Sequence, residues 1–398
     1  MKKRRWLRVL PVLCLSLLCG CAASGEERTP PIVQQGEEQL QTTAETDMPA
    51  PETKGANDIA VFYGGYDDVY LTALSGALEA ELHLAGLEAG VYEAQGDFTK
   101  QLEQMDQAIA GGAGILIVDM AAVADAGQTY EILTRANGLP VIFFGQEIEG
   151  ADEQGSVLHQ NMNVCYVGPD DAAFPQMLAE MVADDAISLF SDLDLNEDGQ
   201  LSYEYFCTDE NGAQDALERI DRKLAEASLA PLYYCDQTTE VPYRWDAGGM
   251  TNAEFANVYM SAHMTWAGTE NENMIELVIC DSDIMAEGAI EALAGAGYNT
   301  GEEGSVTIPV YGAGGTDGAK DRIDIGQMAG TVTRDAAGQA HAIAQIAAAL
   351  RQGGEEGIPE ILASLAGAED AGGLRLADGF VNKLLVAPVP YRGGGESP

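Results

Sequence analysis

From Asp58 onward, short strands that are apolar throughout alternate with stretches whose apolar residues recur at helical spacing. This alternation constrains the fold more than any other feature of the chain. "DIAVFYGG" reads as a strand, and Leu71, Leu74, Leu78 and Leu82 follow on one helical face. Phe98, Leu102, Met105 and Ile109 mark a second helix, and "GILIVDM" and "LPVIFFG" two further strands. A strand apolar on both sides needs cover on both faces, so the pattern predicts parallel sheets covered by helices. The rhythm resumes in "NVCYVG", "YEYFC", "IELVIC" and "TIPVYG", with helices from Phe174 to Met181 and from Ala216 to Leu229 between them. A total of about ten strands overloads one doubly wound sheet, and about 340 residues suit two domains. The expected class is α/β: two doubly wound parallel-sheet domains joined by a multi-strand hinge, with a cleft at the strand C-terminal ends where ligands bind. The expected lobes are 57–143 plus 335–379 and 144–334 plus 380–393, with hinges near Gly145, Arg334 and Val381.

The chain opens "MKKRRWLRVLPVLCLSLLCGC", a basic front, an apolar run and then small residues before a cysteine, which reads as an export signal over residues 1–20. Leu18-Cys19-Gly20-Cys21 resembles a bacterial lipobox, which implies lipidation of Cys21 and an extracytoplasmic protein anchored to the cell membrane. An ordinary secreted protein cleaved nearby is the alternative. Residues 21–56, rich in Pro, Thr, Glu and Gln, read as a flexible stalk. Cleavage takes away Lys2, Lys3, Arg4, Arg5 and Arg8 and no acidic residue, moving the formal charge from −44 to about −49. Such a charge argues against nucleic acid or anionic lipid as a partner. Cys165, Cys207, Cys235 and Cys280 are widely spaced beside apolar runs and read as buried free thiols.

In "DLDLNEDGQLSYEYF", oxygen donors alternate at Asp194, Asn196 and Asp198, Gly199 supplies a sharp turn, and Gln200 offers its carbonyl. The pattern matches the front of a calcium loop, but the twelfth position, where a bidentate glutamate belongs, is Tyr205. A solvated turn, or one copy of a paired calcium module of surface scaffolds, are the rival readings. No second copy of the loop occurs in the sequence.

The ordered set "YDDVY", "VDMAA", "LPVIFF", "YVGPD", "DLNEDGQ", "GAQDALER", "RWD", "IELVICDSDIMAEGAIEAL", "IPVYG" and "AGTVTRD" resembles the type I periplasmic solute-binding proteins. Within that group it is similar to the calcium-carrying galactose/glucose-binding proteins of ABC importers. The resemblance spans nearly all of residues 58–392. It implies that a glutamate from a distant strand completes the calcium loop, which matches Glu276 in "IELVI", a carboxylate interrupting an apolar strand. The implied structural calcium set is Asp194, Asn196, Asp198, Gln200, Ser202 and Glu276, with Ser202 standing where the family usually has glutamine.

For the cleft, the resemblance implies Asp68, Tyr70, Asp119, Asp215, Arg219, Trp245, Ser282 and Arg334 as ligand-binding positions. Carboxylates, amides, a guanidinium and an aromatic ring are the groups that recognise sugar hydroxyls and an apolar C–H face. Asp215 and Arg219 stand four residues apart on one helix face, as an exposed ion pair also would. Ala213, Ser282, Gly314 and Arg334 depart from the family pattern, Asp317 is a candidate replacement for a lost carboxylate, and Arg334 points to an acidic or phosphorylated sugar.

The resemblance implies a monomeric, lipid-anchored receptor that delivers a monosaccharide or sugar-like molecule to an ABC transporter permease by closing its lobes. A sensory protein for a chemoreceptor or sensor kinase, a calcium-dependent carbohydrate-binding scaffold and a surface hydrolase are the alternatives. No catalytic motif is visible. "GAGGTDG" has the wrong spacing for a dinucleotide loop, and His83, His159, His263 and His341 are scattered and outside any zinc motif.

Overall fold

In the computed structural model, residues 58–65, 69–153, 155–236, 241–244, 248–267, 274–302, 304–353, 356–368 and 371–393 are described, all within one unit, Thr53–Pro398. The expected signal, Cys21, the stalk, Asp68 and Trp245 lie outside the described residues.

The chain first builds β1 (Ile59–Tyr63), α1 (Val69–Leu84), β2 (Ala89–Glu93), α2 (Phe98–Ala110), β3 (Ile115–Asp119), α3 (Ala126–Ala136), β4 (Val141–Phe144) and β5 (Val164–Pro169). It then forms α4 (Phe174–Ser188), α5 (Phe190–Leu193), β6 (Ser202–Phe206), α6 (Glu210–Glu226), β7 (Tyr233–Tyr234) and α7 (Asn252–Ala267). β8 (Leu277–Cys280), α8 (Asp283–Gly295), β9 (Val310–Ala313), α9 (Asp317–Asp324) and β10 (Gly330–Thr333) complete that stretch. α10 (Ala336–Gln352), α11 (Ile358–Ala366), β11 (Leu374–Leu376), β12 (Lys383–Val386) and β13 (Val389–Tyr391) close the chain.

The strands form two sheets, in the orders β11-β12-β5-β4-β3-β1-β2 and β13-β10-β9-β8-β6-β7. Pairing is parallel except for β11 with β12 and β13 with β10. Each sheet has a core on both faces, which is why its strands are apolar at every position. In β1, Ile59, Val61 and Tyr63 pack with Leu74, Leu78 and Ile343, while Ala60 and Phe62 pack with Leu102 and Met105. The second sheet is sandwiched likewise, α4 and α6 supplying one core and α7 and α8 the other. The four cysteines are free and buried, as the sequence indicates.

The first interlobe crossing differs from the expected one near Gly145. β5 pairs with β4 through Val141↔Val164 and with β12 through Lys383↔Tyr166, so it belongs to the first sheet. The chain therefore leaves the first lobe after Pro169, returns after Thr333, and crosses last between Val386 and Val389 rather than near Val381. Side chains tie these crossings together. Arg334 donates from Nε and Nη2 to the two carboxylate oxygens of Asp171 at 2.9 and 2.7 Å. Arg375 grips Asp170 in the same bidentate way at 2.5 and 2.8 Å, and the Asp170 N–H donates to Val386 O at 2.8 Å.

Candidate functional site: a cleft between two lobes

The C-terminal ends of both sheets face a cleft, where a parallel sheet presents loop amides and polar side chains to a ligand. Its main cavity, about 960 Å³, is lined from the first lobe by Val69 and Tyr70, from the second by Phe174, Asp317 and Tyr391, and from the crossings by Asp171 and Arg334. A cavity of about 290 Å³ shares Tyr70, Asp171 and Arg334 and extends to Gln146, which in turn lines a third space of about 410 Å³ over Asp119.

On the first wall, Asp119 ends β3 and is 2% exposed. Its carboxylate accepts from the Gly64 N–H at 3.0 Å and the Gln146 N–H at 3.5 Å, joining the loops after β1 and β4. Burial outweighs those hydrogen bonds and pushes its pKa up to about 6. The approach is so close that Gly145, at φ +74°, has no room for a Cβ beside Asp119 Oδ1. Tyr70 donates its hydroxyl to Gln339 Oε1, and the Arg334 guanidinium lies over its ring at 5.6 Å.

Behind the second wall's loop of Gly314 to Asp317, Asp283 is a buried carboxylate. It accepts from Thr331 Oγ1 at 2.6 Å and the Thr316 N–H at 2.7 Å, and burial raises its pKa. Gly314, at φ +135°, would place a Cβ 3.2 Å from Asp283 Oδ2, so an acidic side chain there would meet that carboxylate. The expected Ser282 caps α8, accepting from the Met285 N–H at 3.4 Å. Its neighbour Asp281 accepts from Thr208 Oγ1 at 2.7 Å, and its Oδ1 is buried with no hydrogen-bond partner. Asp317 is the first residue of α9 and lines the main cavity.

Two expected ligand positions are placed differently. α6 starts at Glu210, where Asp209 caps the Asn211 and Gly212 N–H groups, so Asp215 and Arg219 sit more than a turn into the helix. Asp215 is exposed, and Arg219 approaches Glu180 of α4 at 3.4 Å, so the helix face that was read as ligand-directed runs alongside α4. Arg334 does line the cleft, but its fork is matched by Asp171, which weakens the expectation of an acidic ligand.

Residues 59–356 match the family described as periplasmic binding protein domain. The chain belongs to this family. It is 26% identical over 298 residues to the D-galactose/methyl-galactoside binding periplasmic protein MglB of Haemophilus influenzae, covering 75% of this chain and 82% of that one. Among solved structures it is similar to a Caulobacter myo-inositol binding protein, at 20% identity over 85% of this chain and 93% of that one, TM-score 0.36. It is also similar to a periplasmic ribose ABC transporter from Conexibacter woesei, at 16% identity over 85% and 92% of the two chains, TM-score 0.45.

In this periplasmic binding protein, the calcium-type loop and its distant glutamate come together across about eighty residues of chain. Glu276, fully buried, accepts from the Leu195 N–H at 2.8 Å and the Asn196 N–H at 3.3 Å through one oxygen. Its other oxygen accepts from the Ser202 N–H at 2.8 Å and Ser202 Oγ at 3.1 Å. Asp194 accepts from the Asp198 and Gly199 N–H groups at 3.0 and 2.9 Å, and Asp198 from the Gln200 N–H at 2.9 Å. Burial raises the Glu276 pKa against these bonds. An all-oxygen set of carboxylate, amide, hydroxyl and carbonyl groups suits a hard cation.

Sequence reasoning missed Asp171, Gln146, Phe174 and Tyr391 as cleft residues. For the first two a signal existed, since "GPDD" and "FFGQE" end strands of a parallel sheet on the side where ligands bind.

Proposed function

We propose that this protein is an extracytoplasmic receptor that encloses a neutral sugar or sugar-like polyol between its lobes and delivers it to an ABC importer, without acting as an enzyme. The observation that carries this reading is a cavity of about 960 Å³ at the strand C-terminal ends that is lined from both lobes, by Val69 and Tyr70 on one side and Phe174, Asp317 and Tyr391 on the other. The galactose-binding relative supports the ligand class. Neutrality follows from charge, because Arg334, the one guanidinium among the described residues lining the main cavity, is paired with Asp171, and the other lining cation, Lys320, is outnumbered by two further carboxylates, Asp317 and Asp335. The lobes turn about the crossings at 170–173, 334–335 and 387–388, so a ligand touching both walls shifts the protein toward a closed form that a permease can recognise. The lipid anchor at Cys21 holds the receptor at the membrane.

The loop from Asp194 to Ser202 holds a structural calcium, with Glu276 tying it to the base of β8. When bound, the ion supplies positive charge to carboxylates that otherwise lean on amides and one hydroxyl.

Calorimetric titration of the calcium-loaded full-length protein with D-galactose, D-glucose, myo-inositol, D-glucuronate and glucose 6-phosphate tests the reading. A neutral member should bind one per chain at micromolar or tighter Kd. Tight binding confined to the two anions would reverse the assignment of ligand class, and failure of the folded protein to bind any sugar would overturn the receptor reading.

A further inference from the structure

The second lobe contains a cluster that neither the cleft nor the calcium loop uses. Glu204 on β6, Cys235 just after β7 and His263 on α7 are each at most 1% exposed, and their donor atoms converge. Cys235 Sγ lies 3.7 Å from His263 Nδ1 and 3.9 Å from Glu204 Oε2, and His263 Nδ1 lies 3.3 Å from Glu204 Oε2. A tetrahedral zinc ion with ordinary bond lengths has S–N, S–O and N–O edges of about 3.6, 3.6 and 3.4 Å. The three separations fit that triangle to within a few tenths of an ångström.

The surroundings complete the design of a metal centre. Glu204 Oε1, turned away from the shared space, accepts from Tyr234 Oη at 2.8 Å and Arg244 Nε at 3.0 Å, which fixes the carboxylate and leaves Oε2 toward Cys235 and His263. Arg244 also donates to Asp236 at 2.6 Å and lies 4.8 Å from the centre of the Tyr259 ring.

We propose that Glu204, Cys235 and His263 form a buried zinc site in the second lobe. Sulfur and imidazole ligands beside one carboxylate select a borderline-soft transition metal and exclude calcium, so this centre and the oxygen-only loop accept different ions. Three protein ligands leave one tetrahedral position for water. The site joins the edge of the sheet to α7 through Glu204 on β6 and His263 on α7.

X-ray absorption at the zinc edge, on full-length protein stripped by chelation and reloaded with Zn2+ alone, tests the proposal. It should show one zinc per chain with one sulfur at about 2.3 Å and nitrogen or oxygen at about 2.0–2.1 Å. Cys235→Ser should remove the sulfur and weaken zinc affinity at least about tenfold, while Cys280→Ser keeps both. An oxygen-only shell, no retained zinc, or sulfur persisting in Cys235→Ser overturns the proposal. If Cys235→Ser fails to fold, thiol alkylation of the wild-type protein during partial unfolding decides. Zinc should protect Cys235 far more than Cys280, and equal protection contradicts the site.

Discussion

The two lobes share a topology but bury different chemistry. Away from the crossings, the first buries neutral polar side chains, Gln101, Thr129, Gln339 and Asn382, and carries its one fully interior acid, Asp119, at the cleft. The second buries Glu204, Asp236, His263, Glu276 and Asp283. A buried amide is satisfied by nearby backbone, as when Gln101 bonds Asp119 O at 2.7 Å and the Ala121 N–H at 3.0 Å. A buried carboxylate needs several donors or a cation to offset its desolvation. The difference marks the second lobe as the one whose buried charges need several donors, to which the proposed calcium and zinc sites would add bound cations.

The sharpest way to break this comparison is a matched pair of substitutions. Glu276→Ala strips acceptors from three backbone N–H groups and a hydroxyl and should cost about 3–5 kcal/mol in urea unfolding. Gln101→Ala in the first lobe should cost about 1–3 kcal/mol. Equal costs would remove the distinction.

Asp119 gives the next largest effect. Its folded pKa of about 6 exceeds the ordinary aspartate value of 3.8, so the native state binds more protons than the unfolded state between those values, and stability falls as pH rises through that window. Two pKa units correspond to about 3 kcal/mol. Asp119→Asn should remove that component, so the variant minus wild-type stability difference climbs from pH 4 to about 7 and then levels. A flat difference would show that the carboxylate is better solvated than its 2% exposure indicates.

Chelation sharpens the comparison directly. Removing divalent ions should accelerate amide exchange in β6, β8 and α7 at least about tenfold, the kinetic counterpart of about 1.4 kcal/mol, and leave β1, β3 and β4 unchanged. The smallest effect belongs to Arg334→Ala. Its pair with Asp171 is partly exposed and should contribute about 1 kcal/mol or less to stability. A loss of anion binding on this change, rather than a small shift in sugar affinity, would restore the acidic-ligand reading.

Both sheets and their parallel sense were legible in the sequence, because each leaves a local mark, an apolar strand or a helical stripe, whereas the pairing of Glu276 with the loop came through the family resemblance. The first crossing was misplaced because "NVCYVG" is equally apolar in either sheet, and only its pairing with "VIFF" and "KLLV" assigns it. Asp215 and Arg219 are ligand positions by the family resemblance, and their spacing fixes a shared helix face but not the neighbour that face meets, which is α4. The Glu204, Cys235 and His263 cluster left no motif, since its members come from three elements that only the fold brings together, and a scattered histidine became the candidate zinc ligand.

The central claim is that a neutral sugar is enclosed between the walls built on Asp119 and Asp283. A crystal structure of the protein with its tightest neutral ligand tests it most directly. The account predicts sugar hydroxyls bonded to groups at the strand ends of both lobes, with the walls drawn together about the three crossings. A sugar bound to one lobe alone, or outside the cleft, would contradict it.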